Sequence, residues 1–274
     1  MDRLILLFSL APVLRGFIAM IVSGAFFPLC GVMVLRLDLV PMRYMLMHGV
    51  ILGGAISLAL NMPVVPVCLF INLILIFVLI FFNKSQSFGF SGASAGAMVL
   101  SMALASIIMH VKDVPAKDTL SLMWGSPFAL TKSDIIILIV LAVFLFLYVV
   151  LNFKNILTLF FNQDIAKSLG VKVSLNYLFM VFVIAVVVAL AMKLLGAFLI
   201  DALLILPVLT ASCICKGKLS GIKNLFITSS VLGFCFAIFG YLLAVIINWP
   251  PAATISLLAG LVFVVTGLIN KIRG

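Results

Sequence analysis

Apolar runs of roughly membrane-spanning length recur from one end of the sequence to the other, separated by short polar breaks. A helix needs about 20 predominantly apolar residues to cross the hydrocarbon of a bilayer, where the backbone must satisfy its own hydrogen bonds. The pattern predicts spans over 12–35, 44–60, 64–82, 93–109, 135–151, 176–192, 196–213, 225–247 and 252–269. From Lys193 to Gly196 a break separates two apolar blocks, readable as two helices or as one bent, partly re-entrant element. The expectation is an all-α polytopic membrane protein with 8 to 9 transmembrane helices, forming a single domain over residues 1–274. The first block, opening at Ala11, is interrupted by Arg15 and runs too long before Arg36 for a signal-peptide h-region, so no cleavage need be invoked.

Composition agrees with the pattern. Of 274 residues 66% are hydrophobic and 9% charged, and the mean hydropathy is +1.46, far from a water-soluble domain. The net charge of +10 would suggest nucleic acid, but its distribution argues otherwise. With nine spans, Arg36, Arg43, Lys84, Lys154, Lys167, Lys172, Lys216, Lys218, Lys223, Lys271 and Arg273 all fall on one side. The positive-inside rule makes that side cytoplasmic, with the N-terminus outside and the C-terminus inside. Of the other cations, Arg3, Arg15, Lys112, Lys117, Lys132 and Lys193, four have Asp2, Asp113, Asp118 or Asp134 close by in sequence. No basic patch for nucleic acid remains.

The sequence has no G-x-x-x-x-G-K-[ST] loop, nucleophile elbow or H-E-x-x-H pair, and only two histidines. A membrane-embedded hydrolase of familiar type has nothing here from which to build its site, any ATP must be hydrolysed elsewhere, and enzyme readings lose ground. Cys30, Cys68, Cys213, Cys215 and Cys235 lie in or beside apolar spans and read as buried free thiols. Cys213-x-Cys215 could bind metal but lacks CxxC spacing and a partner pair, and near the cytoplasm disulfides are rare.

The longest predicted cytoplasmic connection, Phe161 to Val173, reads as a short helix. Asn162 suits its N-cap, Asp164 puts negative charge in the first turn, and Gly170 suits the residue after the last turn. Ile165, Ala166 and Leu169 form one apolar face. That face could lie on the membrane or the chain's own bundle, or dock into a partner.

This loop resembles the D-x-x-x-A-x-x-x-G-V-type coupling segment of the ABC-3 family, the permeases of zinc, manganese and iron importers, with the match at Asp164, Ala166, Leu169 and Gly170. Further stretches resemble that family in order. Val34-Leu-Arg36, His48 and Gly53-Gly-Ala55 look like V-L-R-R and then G-D-x-x-x-H-x-x-L-P-G-V-A. Met123-Trp-Gly-Ser126 with Thr131-Lys-Ser-Asp134 resembles F-G-(N/S) and V-S-x-S-D. Leu195 to Ala211 resembles V-G-x-L-L-x-x-A-L-L-x-x-P-A-A-T-A, and Trp249-Pro-Pro-Ala-Ala-Thr-Ile255 resembles L-P-P-G-A-T-I. The resemblance implies a type II-like permease bundle and a subunit importing divalent transition-metal ions, zinc or manganese, with iron a further option. It implies as partners a second copy of the chain, a cytoplasmic ATP-binding subunit that takes the loop from Asn162 to Gly170 into a groove, and an extracytoplasmic metal-binding protein. The metal is cargo, and no permanently bound cofactor is implied. The competing classes are a secondary transporter driven by an ion gradient, which would call for paired intramembrane acids and a repeat of broken helices, and a non-transporting scaffold.

His48 lies inside the second span, where an ionisable residue is a functional candidate by default and a neutral imidazole suits transition metals. The alternative is a histidine hydrogen-bonded to a neighbouring helix. In the family a carboxylate one turn earlier completes a two-ligand face; here that position is Tyr44, whose neutral phenol is a weak ligand. Asp201 is the only acid deep in an apolar span. It either pairs with Lys193 or approaches His48 to form a composite metal station. Other family acids correspond to Ser91-Gly92 and Asn248. Met42, Met45 and Met47 near His48 are soft ligands that could favour Cu(I), or packing residues. Pro207 should free a backbone carbonyl within its span, and Gly53, Gly54 and Ala55 should permit close helix contact, with or without a pathway role.

Overall fold

The computed structural model of the chain describes residues 8–83, 89–115, 117, 125–161, 173–215 and 221–273. Among these the secondary structure is wholly helical: α1 Ala11–Arg36, α2 Val40–Leu60, α3 Val64–Asn83, α4 Gly89–Val111, α5 Lys132–Leu151, α6 Phe153–Phe161, α7 Val173–Leu195, α8 Ala197–Ile214, α9 Ile222–Ile247 and α10 Pro251–Arg273. A 3₁₀ turn, Pro127–Ala129, precedes α5. Among the described residues eight helices are long and apolar enough to cross a membrane, and Val64–Ile80 of α3 is a shorter apolar stretch. The break near Lys193 is a single residue. Gly196, at φ +89, separates α7 from α8 and donates its N–H to Met192 O at 2.8 Å. Two helices result, because only glycine takes that conformation without cost.

Helix α6 was not expected. Its nine residues fall between the span predicted to end at 151 and the short helix read from Phe161 onward, and its inward positions Ile156 and Leu159 are buried. An apolar stripe this short falls below the length that identifies a span, which hides it from a search for membrane helices. The segment carrying Asn162, Asp164, Ala166, Leu169 and Gly170 lies outside the described residues.

Four helices end on Asx residues. Asp38, Asn61, Asp113 and Asn248 are, among the described residues, the non-glycine residues with positive φ, and they follow α1, α2, α4 and α9. Short side chains that bond locally make Asn and Asp the non-glycine residues most tolerant of the left-handed region. Thr131 and Asp134 form a capping box at the start of α5: the Asp134 amide donates to Thr131 Oγ1 at 3.2 Å, and the Thr131 amide donates to Asp134 Oδ2 at 2.9 Å.

The chain divides into two compact units, one of Met1–Met33, Ser126–Val171 and Phe198–Gly274, the other of Val34–Gly125 and Lys172–Ala197. The first is organised around Gly233 on α9. A side chain there would strike the Gly24 carbonyl and Pro28 Cγ of α1, and would touch Pro207 Cγ of α8 at 3.4 Å. Pro28 has no N–H to offer the Gly24 carbonyl, so that oxygen faces the neighbouring helix instead of being tied within its own. Tyr241, one face further along α9, donates its hydroxyl to Val13 O at 2.8 Å and lies between the rings of Phe17 and Phe128. Arg15 reaches from α1 to Leu130 O at 3.0 Å, so the cation that interrupts the first apolar block ties down the loop before α5.

Gly233→Val should destabilise the protein by about 3 kcal/mol or more, since backbone rather than a flexible side chain occupies the space. Gly267→Ala, where nothing lies within 4 Å of the added methyl, should change stability by no more than about 1 kcal/mol. Thermal unfolding of the detergent-purified variants measures both.

Candidate functional site

The candidate residues on α2 lie in the second unit, where α2 packs against α3, α4 and α7. Small residues allow this. Gly49 and Gly53, one turn apart, meet Asn72 and Cys68, one turn apart on α3. A methyl on Gly53 would sit 2.7 Å from Cys68 Cα, and a methyl on Gly49 would overlap Asn72 Oδ1. Cys68 Sγ also lies 3.5 Å from Val50 O. Ile51, Leu52 and Ala55 on the same helix pack with Ala105 of α4.

His48 is half-buried, and its ring turns back on its own helix: Nδ1 lies 2.8 Å from Tyr44 O. A carbonyl only accepts, so Nδ1 carries the hydrogen and, in the neutral ring, Nε2 carries the lone pair. Metal-binding histidines use the same device, a backbone carbonyl fixing the tautomer while the other nitrogen ligates. The bond to a neighbouring helix, the alternative reading of this residue, gives way to a bond within its own helix.

Tyr44 is 43% exposed, and the Arg43 guanidinium carbon lies 4.2 Å from the centre of its ring. Arg43 itself is 1% exposed. Reading it as one more cation flanking a span misses this. The ring beneath it contributes a cation–π attraction of about 0.5–2 kcal/mol. A guanidinium on the phenol is the reverse of the carboxylate that the family pattern calls for, and Tyr44 with His48 does not form a two-ligand face of the usual charge.

Met42 and Met45 are fully buried, which makes them packing residues, while Met47 is half-buried. Asp201 lies on the second turn of α8, half-buried, in the first unit. Asn248 caps α9 in the left-handed conformation with its N–H on Ala244 O. Cys213 and Cys215 are free and half-buried; Asn270 Nδ2 donates to Cys213 O at 2.5 Å, and Cys215 Sγ is 3.4 Å from Thr228 Oγ1. Among the described residues no group of three or more His, Cys, Asp or Glu could hold a metal ion.

Asn72 escaped the sequence reading. It is 1% exposed, its Nδ2 donates to Cys68 O at 3.0 Å, and its Oδ1 has no donor among the described residues. One amide in a continuous apolar run gives no periodic signal, but a polar residue at that depth is a signal in itself. Its oxygen rests on the backbone of Gly49, next to His48.

The ABC 3 transport family matches residues 10–270. The manganese import system permease protein ScaB of Streptococcus gordonii is 26% identical over 219 residues, covering 80% of this chain and 77% of that protein. The high-affinity zinc uptake system membrane protein ZnuB of Buchnera aphidicola subsp. Baizongia pistaciae is 28% identical over 162 residues, covering 59% and 60%. A solved structure of PsaBC from Streptococcus pneumoniae in complex with Fab superposes with a TM-score of 0.81 at 21% identity, over 97% of this chain and 94% of that one.

Gly49→Ala should cost about 1–3 kcal/mol by driving the Asn72 amide off the α2 backbone. Adding Asn72→Ala should recover most of that loss, a coupling that a double-mutant cycle of unfolding midpoints reads directly.

Proposed function

Since the chain belongs to the ABC 3 transport family, we propose that it is the membrane-spanning permease subunit of an ATP-driven importer of divalent transition-metal ions. The family match over residues 10–270 carries the reading, and the names of the manganese import, manganese transport and zinc uptake relatives at 26–28% identity point to manganese or zinc as cargo, with iron less supported. The working assembly is two copies of the chain in the cytoplasmic membrane, with two ATP-binding subunits below and a metal-binding protein outside. The C-terminus faces the cytoplasm, as the sorting of cations requires. The chain lacks a phosphate-cradling loop, so ATP is hydrolysed by the partner, which takes hold of the segment from Asn162 to Gly170.

His48 acts as a transient ligand. Its Nδ1–H is held by the Tyr44 carbonyl, which presents Nε2 to the cargo without any rearrangement of the ring. A single imidazole binds weakly, and weak binding suits transport, because an ion held by a full protein cage would not leave. Tyr44, one turn earlier on α2, is a further candidate of that helix, and Asp201, in the first unit, is a separate candidate pathway carboxylate.

The test is the complex of the chain with its ATP-binding subunit, reconstituted in liposomes. Manganese or zinc should stimulate ATP hydrolysis, and His48→Ala should lower metal uptake by roughly tenfold or more. Uptake that persists without ATP would identify a gradient-driven transporter, and ATPase activity indifferent to metal would identify a scaffold. Asp201→Asn should also reduce uptake; unchanged uptake in that variant would remove Asp201 from the pathway while leaving His48 in place.

A further inference from the structure

Helices α1, α5 and α9 of the first unit frame an apolar slot of about 460 Å³. Its walls include Phe26, Phe146, Val150, Phe226, Ile227 and Val231. Two edge-to-face ring pairs stiffen it, Phe153–Phe226 at 5.9 Å and Phe26–Phe146 at 5.6 Å. The one wall hydroxyl, on Ser230, donates to Ala25 O and so offers the slot no free donor. Val150, Ile227 and Val231 are each more than half exposed, so the slot opens sideways, toward the hydrocarbon that surrounds a membrane helix.

Lys223 stands at the rim. It is exposed, occupies the first turn of α9 behind an N-cap glycine that supplies no side-chain bond, and pairs with no carboxylate among the described residues. From Lys223 to Val231 is eight residues, about 12 Å of helix. The charge therefore sits at one end of an apolar track that runs about 12 Å along the helix.

An apolar cavity stays empty of water. A bilayer offers only one abundant occupant for a slot open to its side, an acyl chain. That chain alone would confer no preference, because the hydrocarbon outside is as apolar as the slot. The preference comes from the Lys223 ammonium at the rim, which favours an anion. We propose that the slot is a binding site for an anionic phospholipid, with one acyl chain along Val150, Ile227 and Val231 and the phosphate against the Lys223 ammonium. The site is separate from His48 and does not depend on which metal is carried.

The full chain, released from nanodiscs made of equal parts phosphatidylglycerol and phosphatidylcholine, should retain phosphatidylglycerol about fivefold in preference by native mass spectrometry, the discrimination expected for one cation near an anionic headgroup. Lys223→Gln should abolish the preference while lipid is still retained. Val150→Trp, and independently Ile227→Trp, should fill the slot and remove the retained lipid of either kind. Glycerol phosphate, which has the headgroup charge but no chains, should not displace it. An unchanged preference in Lys223→Gln, retained lipid in both tryptophan variants, or displacement by glycerol phosphate would each overturn the assignment.

Discussion

Helices in a bilayer gain nothing by hiding apolar surface from one another, so their association rests on how closely their backbones can approach. In this chain that approach is set by glycine at helix crossings. Gly233 admits the Gly24 carbonyl and two prolines, and Gly49 and Gly53 admit the backbone and side chains of α3 around Cys68 and Asn72. The prolines and glycines act together. Pro28 turns a carbonyl of α1 outward, and Gly233 leaves room for it. A proline inside a span is thus a packing device as much as a bend. The same closeness positions the candidate site, because the α2 segment held by Gly49 and Gly53 is the one that carries Tyr44 and His48.

Acidic groups are scarce, and most of those described serve the backbone. The chain has seven, all aspartate. Asp38 and Asp113 end helices in the left-handed conformation, and Asp134 closes a capping box. Their work is to satisfy orphan N–H and C=O groups at helix ends, a need that grows where the surroundings offer little water. Asn248 shows the exchange of roles most directly. It stands where the family pattern has an acid, and it caps α9 with a geometry that asparagine adopts at least as readily as aspartate. Among the described residues Asp201 is the acid that lies inside a span, beyond its first turn.

Much of the fold was legible because hydropathy over about 20 residues is a long, redundant signal. The spans fall where the pattern puts them, and Gly196 marks the break that the pattern left open. What was missed is short or solitary. Helix α6 is nine residues, too short to register as a span. Asn72 is one amide in an apolar run. Arg43 was visible but its burial was not, since a cation at the edge of a span looks the same in sequence whether it is solvated or buried. Burial is a property of tertiary packing, here of the glycine-mediated contacts that no local window contains. For the same reason His48 could be named from sequence while its bond to Tyr44 O could not, because that bond depends on a side-chain rotamer.

The pair Arg43 and Tyr44 bears most on how such a chain handles a cation. A carboxylate one turn before His48 would lower the energy of a divalent ion there and hold it in place. A phenol covered by a guanidinium does neither, and in surroundings of low dielectric the nearby positive charge raises the energy of the ion. In the importer proposed above, the ion at His48 then keeps more of its own water and rests in a shallower well. A shallower well admits fewer ions at low concentration but releases each one faster, so the affinity that such a system needs must come chiefly from its extracytoplasmic partner. On that proposal the α2 segment serves less as a binding site than as a point of passage, with His48 as the ligand that helix offers.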